Sequence, residues 1–396
     1  MKTDTENGQK GILGIHPVVF VTGLVSLFTD LSSEMIVPIL PLFLTSILHV
    51  QVSEVGIIEG IAESTASVLK LFSGWISDRL GRRKPLMIVG YGFSNLVKPL
   101  FALSTSWGQV LAVRFADRFG KGVRGAPRDA LIADSVTKEE RGKAFGFHRA
   151  LDTLGAAVGP FTAFWILTWF HNNYRIVFWI SAIPGILAII LLVFFLKEKQ
   201  KQVQRKSNSR LPKIGFKGLG RRFIWFTLVS TLFALGNSSD AFLILQSQNA
   251  GMAPSLIPLA YFAFNLTYSL FAMPAGILSD RIGRRSVLVA GYLIFALIYF
   301  GFGIANNATW IWVLFIIYGL YYATTEGIQK AYIADLVPEG QRGTAMGTFN
   351  ALTGIAALPA SIAAGFLWQS YGPLATFGVS SLFAIAAAIL MVVFRI

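Results

Sequence analysis

Twelve apolar stretches, each long enough to cross a hydrocarbon layer of about 30 Å as a helix, alternate with short polar connections along the chain. They lie near residues 17–47, 54–77, 85–105, 107–135, 141–170 and 174–196, then 223–248, 254–279, 286–305, 309–336, 342–370 and 373–394. Backbone amides in lipid find no water to bond, so runs of this length are expected as helices. The fold class that follows is an all-α membrane protein with twelve transmembrane helices.

The polar punctuation sets an orientation. Connections after segments 2, 4, 6, 8 and 10 carry Lys or Arg, whereas those after segments 1, 3, 7, 9 and 11 carry none. Arg175, after segment 5, is the single exception. Cytoplasmic loops hold the basic excess, so both termini are expected in the cytoplasm and the protein in the inner membrane of a cell. Residues 1–16 lack the basic-then-apolar order of a cleaved leader, which predicts a cytoplasmic tail followed by a retained first span.

Internal repetition organises the segments. Gly74-Trp-Ile-Ser-Asp78-Arg79-Leu-Gly81-Arg82-Arg83 returns 202 residues later as Gly276-Ile-Leu-Ser-Asp280-Arg281-Ile-Gly283-Arg284-Arg285. Residues 130–150 match 331–351 at an offset of 201, sharing Asp134/Asp335, Arg141/Arg342 and Gly146/Gly347. Two copies of a six-helix unit are therefore expected, at 17–196 and 223–396. Residues 197–222 join them with ten Lys/Arg against one acid, Glu198.

Segment 4 breaks the apolar rule. At about 100° per residue, Arg114, Asp117, Arg118, Lys121, Arg124, Arg128 and Asp129 share an arc of about 140°. A helix divided in this way faces lipid or protein on one side and a wet, charged space on the other.

Composition narrows the chemistry. The 396 residues are 54% hydrophobic and 14% charged, with a mean hydropathy of +0.61. The net charge of +14 lies mostly in the 197–222 connection, so it reads as a topology signal and not as a nucleic-acid surface. No cysteine is present, and the four histidines are scattered, so no metal site is expected. The absence of an H-E-x-x-H helix and of a P-loop argues against metalloproteolysis and ATP-driven transport. A membrane enzyme and a transporter-like sensor or scaffold are thereby the weaker classes.

The repeated G-x-x-x-D-R-x-G-R-R loops resemble the major facilitator superfamily of secondary transporters, over roughly residues 17–394. The resemblance implies two six-helix bundles related by a pseudo-two-fold axis, a cavity lined by segments 1, 4, 7 and 10, and alternating access by rocking. It implies a small-molecule substrate, no cofactor, and a proton gradient as energy source; a monomer in the bilayer without nucleic acid is expected. Gly74, Asp78, Arg79, Gly81, Arg82 and Arg83, with Gly276, Asp280, Arg281, Gly283, Arg284 and Arg285, are expected to latch the cytoplasmic side. Simple positive-inside anchoring competes for the arginines. Gly155, Gly159 and Pro160 resemble the start of a motif typical of proton antiporters, although Thr162-Ala163 replaces its following glycine pair; plain helix packing explains them equally well. Arg114 or Arg118, before Gly120-Lys121-Gly122, resembles the single arginine that often stands near the coupling site.

Asp30 and Glu34 lie four residues apart on one face of segment 1, at a depth similar to Arg118 and Lys121. A carboxylate in lipid must be paired or neutral. Asp30, Glu34, Arg114 and Arg118 are therefore the expected proton-coupling residues, against a permanent structural ion pair. Glu59, Glu63 and Lys70 in segment 2 read as an internal network, and Arg149 with Asp152 as a local pair. Substrate-binding candidates are Arg114, Arg118, Lys121 and Arg128, with Asn237, Asp240, Glu326 and Tyr322 in the sparser second half. Arginine grips carboxylate and phosphate in bidentate fashion, which favours an anionic or zwitterionic solute: an organic acid, a phosphate ester or a carboxylate-bearing metal chelate. The counter-reading has the arginines and acids cancel, leaving a polar cavity for a neutral or cationic compound, as in a drug/proton antiporter.

Overall fold

A computed structural model describes residues 14–80, 82–137, 140–198, 215–338 and 341–395, with the Asp78 side chain left out. The expectations for Gly81, the Asp78 side chain, residues 1–13 and residues 199–214 lie outside the described residues. Twelve membrane-crossing helices carry the fold. They are α1 (Pro17–Ser46), α2 (Val52–Leu80), α3 (Lys84–Leu103), α4 (Trp107–Ser135), α5 (Arg141–Trp169) and α6 (Tyr174–Phe195) in the first half. In the second half they are α7 (Arg221–Asn249), α8 (Leu256–Ile282), α9 (Arg284–Ile304), α10 (Ala308–Leu336), α11 (Arg342–Tyr371) and α12 (Pro373–Val393). Ten are apolar enough to cross a bilayer by length and composition. The other two, α2 and α4, have 29 residues each and carry most of the buried charge.

Two crossings are interrupted, and both interruptions shape the cavity. In α1 the helix turns at Val37–Ile39, where Pro38 and Pro41 each lack an amide donor. In α7 the run Asn237-Ser238-Ser239-Asp240 opens between Gly236 and Ala241, because short polar side chains offer the backbone alternative partners. Ser239 Oγ accepts from the Ala241 amide, and Ser361 Oγ from the Ser239 amide. Asn237 and Asp240, expected within a continuous helix, thus sit in a break.

The packing repeats across the halves. Helix α4 lies against α2 and α3 as α10 lies against α8 and α9, and α1 against α5 and α6 as α7 against α11 and α12. Two long seams join the halves, α2 to α11 and α5 to α8, with a shorter contact between the ends of α1 and α7. The first is drawn tight by glycine: side chains at Gly56 and Gly60 would collide with the Ser361 and Leu358 carbonyls, and one at Gly365 with the Val52 carbonyl at 2.9 Å. Close approach of this kind replaces the hydrophobic effect that lipid cannot supply.

Arg175, the exception in the charge pattern, does not stand free in its loop. Its guanidinium donates to the carbonyls of Ala102 and Ser104 at the end of α3 and lies 5.2 Å from the Phe43 ring. It serves as a C-cap at that face.

The repeated loop motif acts inside each half. Arg83 pairs with Asp134 at 3.0 Å and donates to Ser77, and Arg284 pairs with Asp335 and Asp280 and donates to Ser279. Lys84 donates to the Val193 and Leu196 carbonyls at the end of α6, as Arg285 does to Met391 and Val392 at the end of α12. The equivalent residues are therefore Arg83 and Arg284, one position away from the pairing that identity suggests. Gly283, at φ +93°, makes the turn that starts α9 one residue earlier in register.

Candidate functional site

A cavity of about 1270 Å³ occupies the centre, between the halves. It runs from Pro41, Glu59 and Ala241 to Trp75, Lys330 and Gly343, near the helix ends that carry the basic loops. The opposite face is sealed by the glycine contacts of α2 with α11 and by Gln248, which donates to Ser46 at 3.0 Å.

Helix α4 builds the charged wall. All five of its basic residues, Arg114, Arg118, Lys121, Arg124 and Arg128, line the cavity. Its two stripe acids do not: Asp117 turns to α3, accepting from Ser94 at 2.6 Å, and Asp129 pairs with Arg128 beside a smaller pocket of about 330 Å³. That selection follows from two glycines. A Cβ on Gly120 would strike the Gly90 carbonyl and sit 2.7 Å from the Ser94 amide of α3, and one on Gly122 would lie 2.7 Å from the Leu69 Cβ of α2. Positions two apart on a helix point to nearly opposite sides, so α4 is wedged between α2 and α3 while Lys121, between them, projects into the open.

The ion pairs differ from the expected set. Arg114 pairs with Glu59 at 2.9 Å and Arg118 with Glu63 at 2.8 Å, both on α2. Asp30 instead meets Arg124 at 3.9 Å, and Glu34 has neither a hydrogen bond nor an ion pair among the described residues. The i, i+4 rows on two parallel helices meet as a ladder, so α2 supplies the counter-charges assigned to α1. Lys70 does not join Glu59 and Glu63; it lines the cavity with no ion pair among the described residues.

The second half brings polar groups from its helix break. Asp240 accepts from Tyr318 at 2.7 Å and from Tyr261 at 3.2 Å, and Asn237 donates to Tyr321 at 3.2 Å. Tyr321 and Tyr322 reach the cavity, whereas Tyr318 is fully buried behind them. Glu326 lines the cavity, accepting from Tyr268 at 2.7 Å and pairing with Lys330 at 3.3 Å and Arg149 at 3.7 Å. Tyr261, Tyr268 and Arg149 were not singled out from sequence as cavity residues; their helices present them only once the halves are assembled.

Eight basic and seven acidic side chains line the cavity, a near balance that leaves one positive charge over. Most are mutually neutralised, and Lys70 and Lys121 are the bases without a carboxylate within 4 Å among the described residues. Gly155 and Gly159 pack α5 on α1, against the Leu27 carbonyl and the Glu34 Cβ, with Pro160 also inside the helix. A Cβ on Gly74 would lie 3.3 Å from the Ala126 Cβ of α4, whereas one on Gly276 would meet nothing within 4 Å. Arg79 stacks over Trp75 at 5.5 Å, and Arg82 and Arg281 show no ion pair among the described residues. No group of three or more potential metal ligands occurs among the described residues.

Comparison with known proteins accords with this architecture. An uncharacterised MFS-type transporter of Methanocaldococcus jannaschii is 38% identical over 379 residues, 94% of each chain. The cis,cis-muconate transport protein of Acinetobacter baylyi is 25% identical over 91% of this chain and 90% of its own. A solved structure of a variant of the nucleoside transporter NupG superposes with a TM-score of 0.81 at 13% identity, covering 95% of this chain and 100% of its own, which speaks to the fold alone. The sequence profile of the Major Facilitator Superfamily matches residues 22–247 and 241–396, so this multi-pass membrane protein belongs to that superfamily of transporters.

Proposed function

We propose that the protein is a proton-coupled carrier of a small organic acid, anionic or zwitterionic, whose carboxylate engages Lys121. The observation that carries this reading is the position of Lys121: an ammonium held in the cavity by Gly120 and Gly122, without a carboxylate within 4 Å among the described residues. Arg114 and Arg118 are already neutralised by Glu59 and Glu63, so they shape the site more than they attract charge. The phenol-bearing wall of Tyr321 and Tyr322 offers an apolar body its contact surface. Similarity to a transport protein for muconate, a dicarboxylate, supports a solute of that kind. Glu34, a carboxyl on the cavity wall with no ion pair among the described residues, and Asp30 are the proton-binding groups in this reading. The basic face is cytoplasmic by its arginine and lysine content, the cavity opens inward, and the protein works in the inner membrane with both termini in the cytoplasm.

The test is uptake or efflux in proteoliposomes of the purified protein, with an imposed pH gradient and a panel of radiolabelled mono- and dicarboxylates, nucleosides and cationic drugs. Gradient-driven accumulation of carboxylates is the expected result. Movement of cations alone, or carboxylate flux indifferent to the gradient, overturns the reading.

A further inference from the structure

Resting on that proton-coupled reading, we propose that Asp30 and Asp152 form a single proton-binding site, linked through Arg149 to the ion pair that joins the two halves. The Asp30 carboxyl of α1 and the Asp152 carboxyl of α5 face one another on the cavity wall, near enough for a hydrogen bond between them. Carboxylates only accept, so such a bond holds one proton and leaves one negative charge on the pair. Backbone packing brings them together: a side chain at Gly155 would strike the Leu27 carbonyl, and one at Gly23 would lie 2.7 Å from the Leu151 side chain. Leu27 is three residues before Asp30, and Gly155 three after Asp152.

Asp152 is the hub of this contact. It accepts from Ser26 at 2.7 Å and pairs with Arg149 at 3.2 Å, with Arg128 at 3.9 Å. The charges facing the pair from α4 are Lys121, Arg124, Arg128 and Asp129; α5 adds His148. From α3, Lys98 faces Asp30, and Tyr91 lies beneath the Arg124 guanidinium at 4.4 Å. The α8 and α10 groups, Tyr268 and Glu326, reach the pair through Arg149. Both aspartates line the cavity, so water can bring and remove the proton.

Arg149 has two commitments. Its Nη1 holds Asp152, while its Nη2 donates to Tyr268 at 3.1 Å and lies 3.7 Å from Glu326. Arg149 to Glu326 is the one ion pair between the halves among the described residues. With the proton in place the pair carries one charge and Arg149 bridges. Loss of the proton sets a second negative charge beside Nη1, draws Arg149 toward Asp152 and weakens its hold on Glu326. Release of a proton into the cavity thereby loosens the α5 to α8 seam on the side where the cavity is open.

The absence of native cysteine makes the test direct. Spin labels at Gly142→Cys, where the built Cβ meets nothing within 4 Å, and at Ile282→Cys, 55% exposed, report the distance between the basic ends of α5 and α8 in liposomes without solute. A shift toward the longer distance from acidic to alkaline buffer is expected in the parent. Asp152→Asn and Asp30→Asn should each abolish that shift, and Arg149→Gln should give the longer distance at every pH. Glu34→Gln should leave the shift in place. A parent-like pH response in Asp152→Asn overturns the linkage, even where gradient-driven uptake stands. An intact response in a protein that shows no gradient-driven uptake overturns the coupled reading instead, and leaves the linkage.

Discussion

Arg114 Nη2 lies 2.9 Å from Glu59 Oε2, with both side chains about 5% exposed. Both side chains are buried, so each depends on its counter-charge for solvation, Arg114 having only Asp117 at 3.9 Å besides. Glu59→Gln is therefore expected to cost on the order of 3 kcal/mol, because it leaves a buried guanidinium with that one distant partner. The thermal midpoint of the purified protein should fall clearly. Joint replacement by Arg114→Met and Glu59→Leu should restore most of it, since an apolar pair needs no counter-charge. A single variant as stable as the parent would contradict the pairing.

Glycine-mediated contacts make a sharper contrast. Changing a mid-helix glycine to alanine gains about 1 kcal/mol in propensity, whereas forcing a methyl into a packed seam costs about 1–3 kcal/mol. At Gly155 the methyl would meet the Leu27 carbonyl, and the steric cost wins; at Gly276 it meets nothing within 4 Å, and propensity wins. Gly155→Ala should lower the melting temperature and Gly276→Ala should hold or raise it. Equal effects at the two positions would show that the α1 to α5 approach is looser than the structure has it.

The basic loop yields a prediction that the repeat alone misses. Identity pairs Arg82 with Arg284, but Arg83 makes the ion pair with Asp134 that Arg284 makes with Asp335. Arg83→Ala should reduce stability by about 1 kcal/mol, as a partly exposed ion pair reinforced by hydrogen bonds does. Arg82→Ala, whose side chain is exposed, should do nothing measurable. Thermal unfolding in detergent separates the two, and a larger loss at Arg82 would return the equivalence to the identity-based register.

Periodicity reveals which side chains share a face, so the α4 stripe, the helix count and the six-helix repeat were legible in the chain. It does not reveal which neighbour the face meets. Depth sets Asp30 and Glu34 level with Arg118 and Lys121, while α4 lies along α2 and puts Glu59 and Glu63 within reach of Arg114 and Arg118. Gly120 and Gly122 carried the missing information, since residues without side chains mark where helices touch. Arg149 looked complete beside Asp152, three residues on; its second partner, Glu326, lies 177 positions away and comes near only through assembly of the halves. The break in α7 is written as Gly-Asn-Ser-Ser-Asp, and a hydropathy reading passes over four polar residues inside an otherwise apolar span.

Lys121 is where affinity and stability should separate. Its neighbours in the stripe are bound to carboxylates, so their loss damages the fold before it reaches a solute. Lys121 is exposed to the cavity and makes no ion pair among the described residues, so its removal leaves no stranded partner. A hydrogen bond from a charged donor contributes about 1.5–3 kcal/mol, which corresponds to roughly a 10- to 100-fold change in affinity. Lys121→Gln should accordingly raise the half-saturating concentration of a transported carboxylate by about that factor. The melting temperature should stay at the parent value. Lys121→Arg keeps the charge and should retain most of the affinity, though its planar fork changes the geometry of the grip. Flux assays across a concentration series in proteoliposomes, paired with thermal unfolding, read both quantities. Parent-like affinity in Lys121→Gln would move the anion site to Lys70 at the mouth of the cavity, the other base without a carboxylate partner among the described residues.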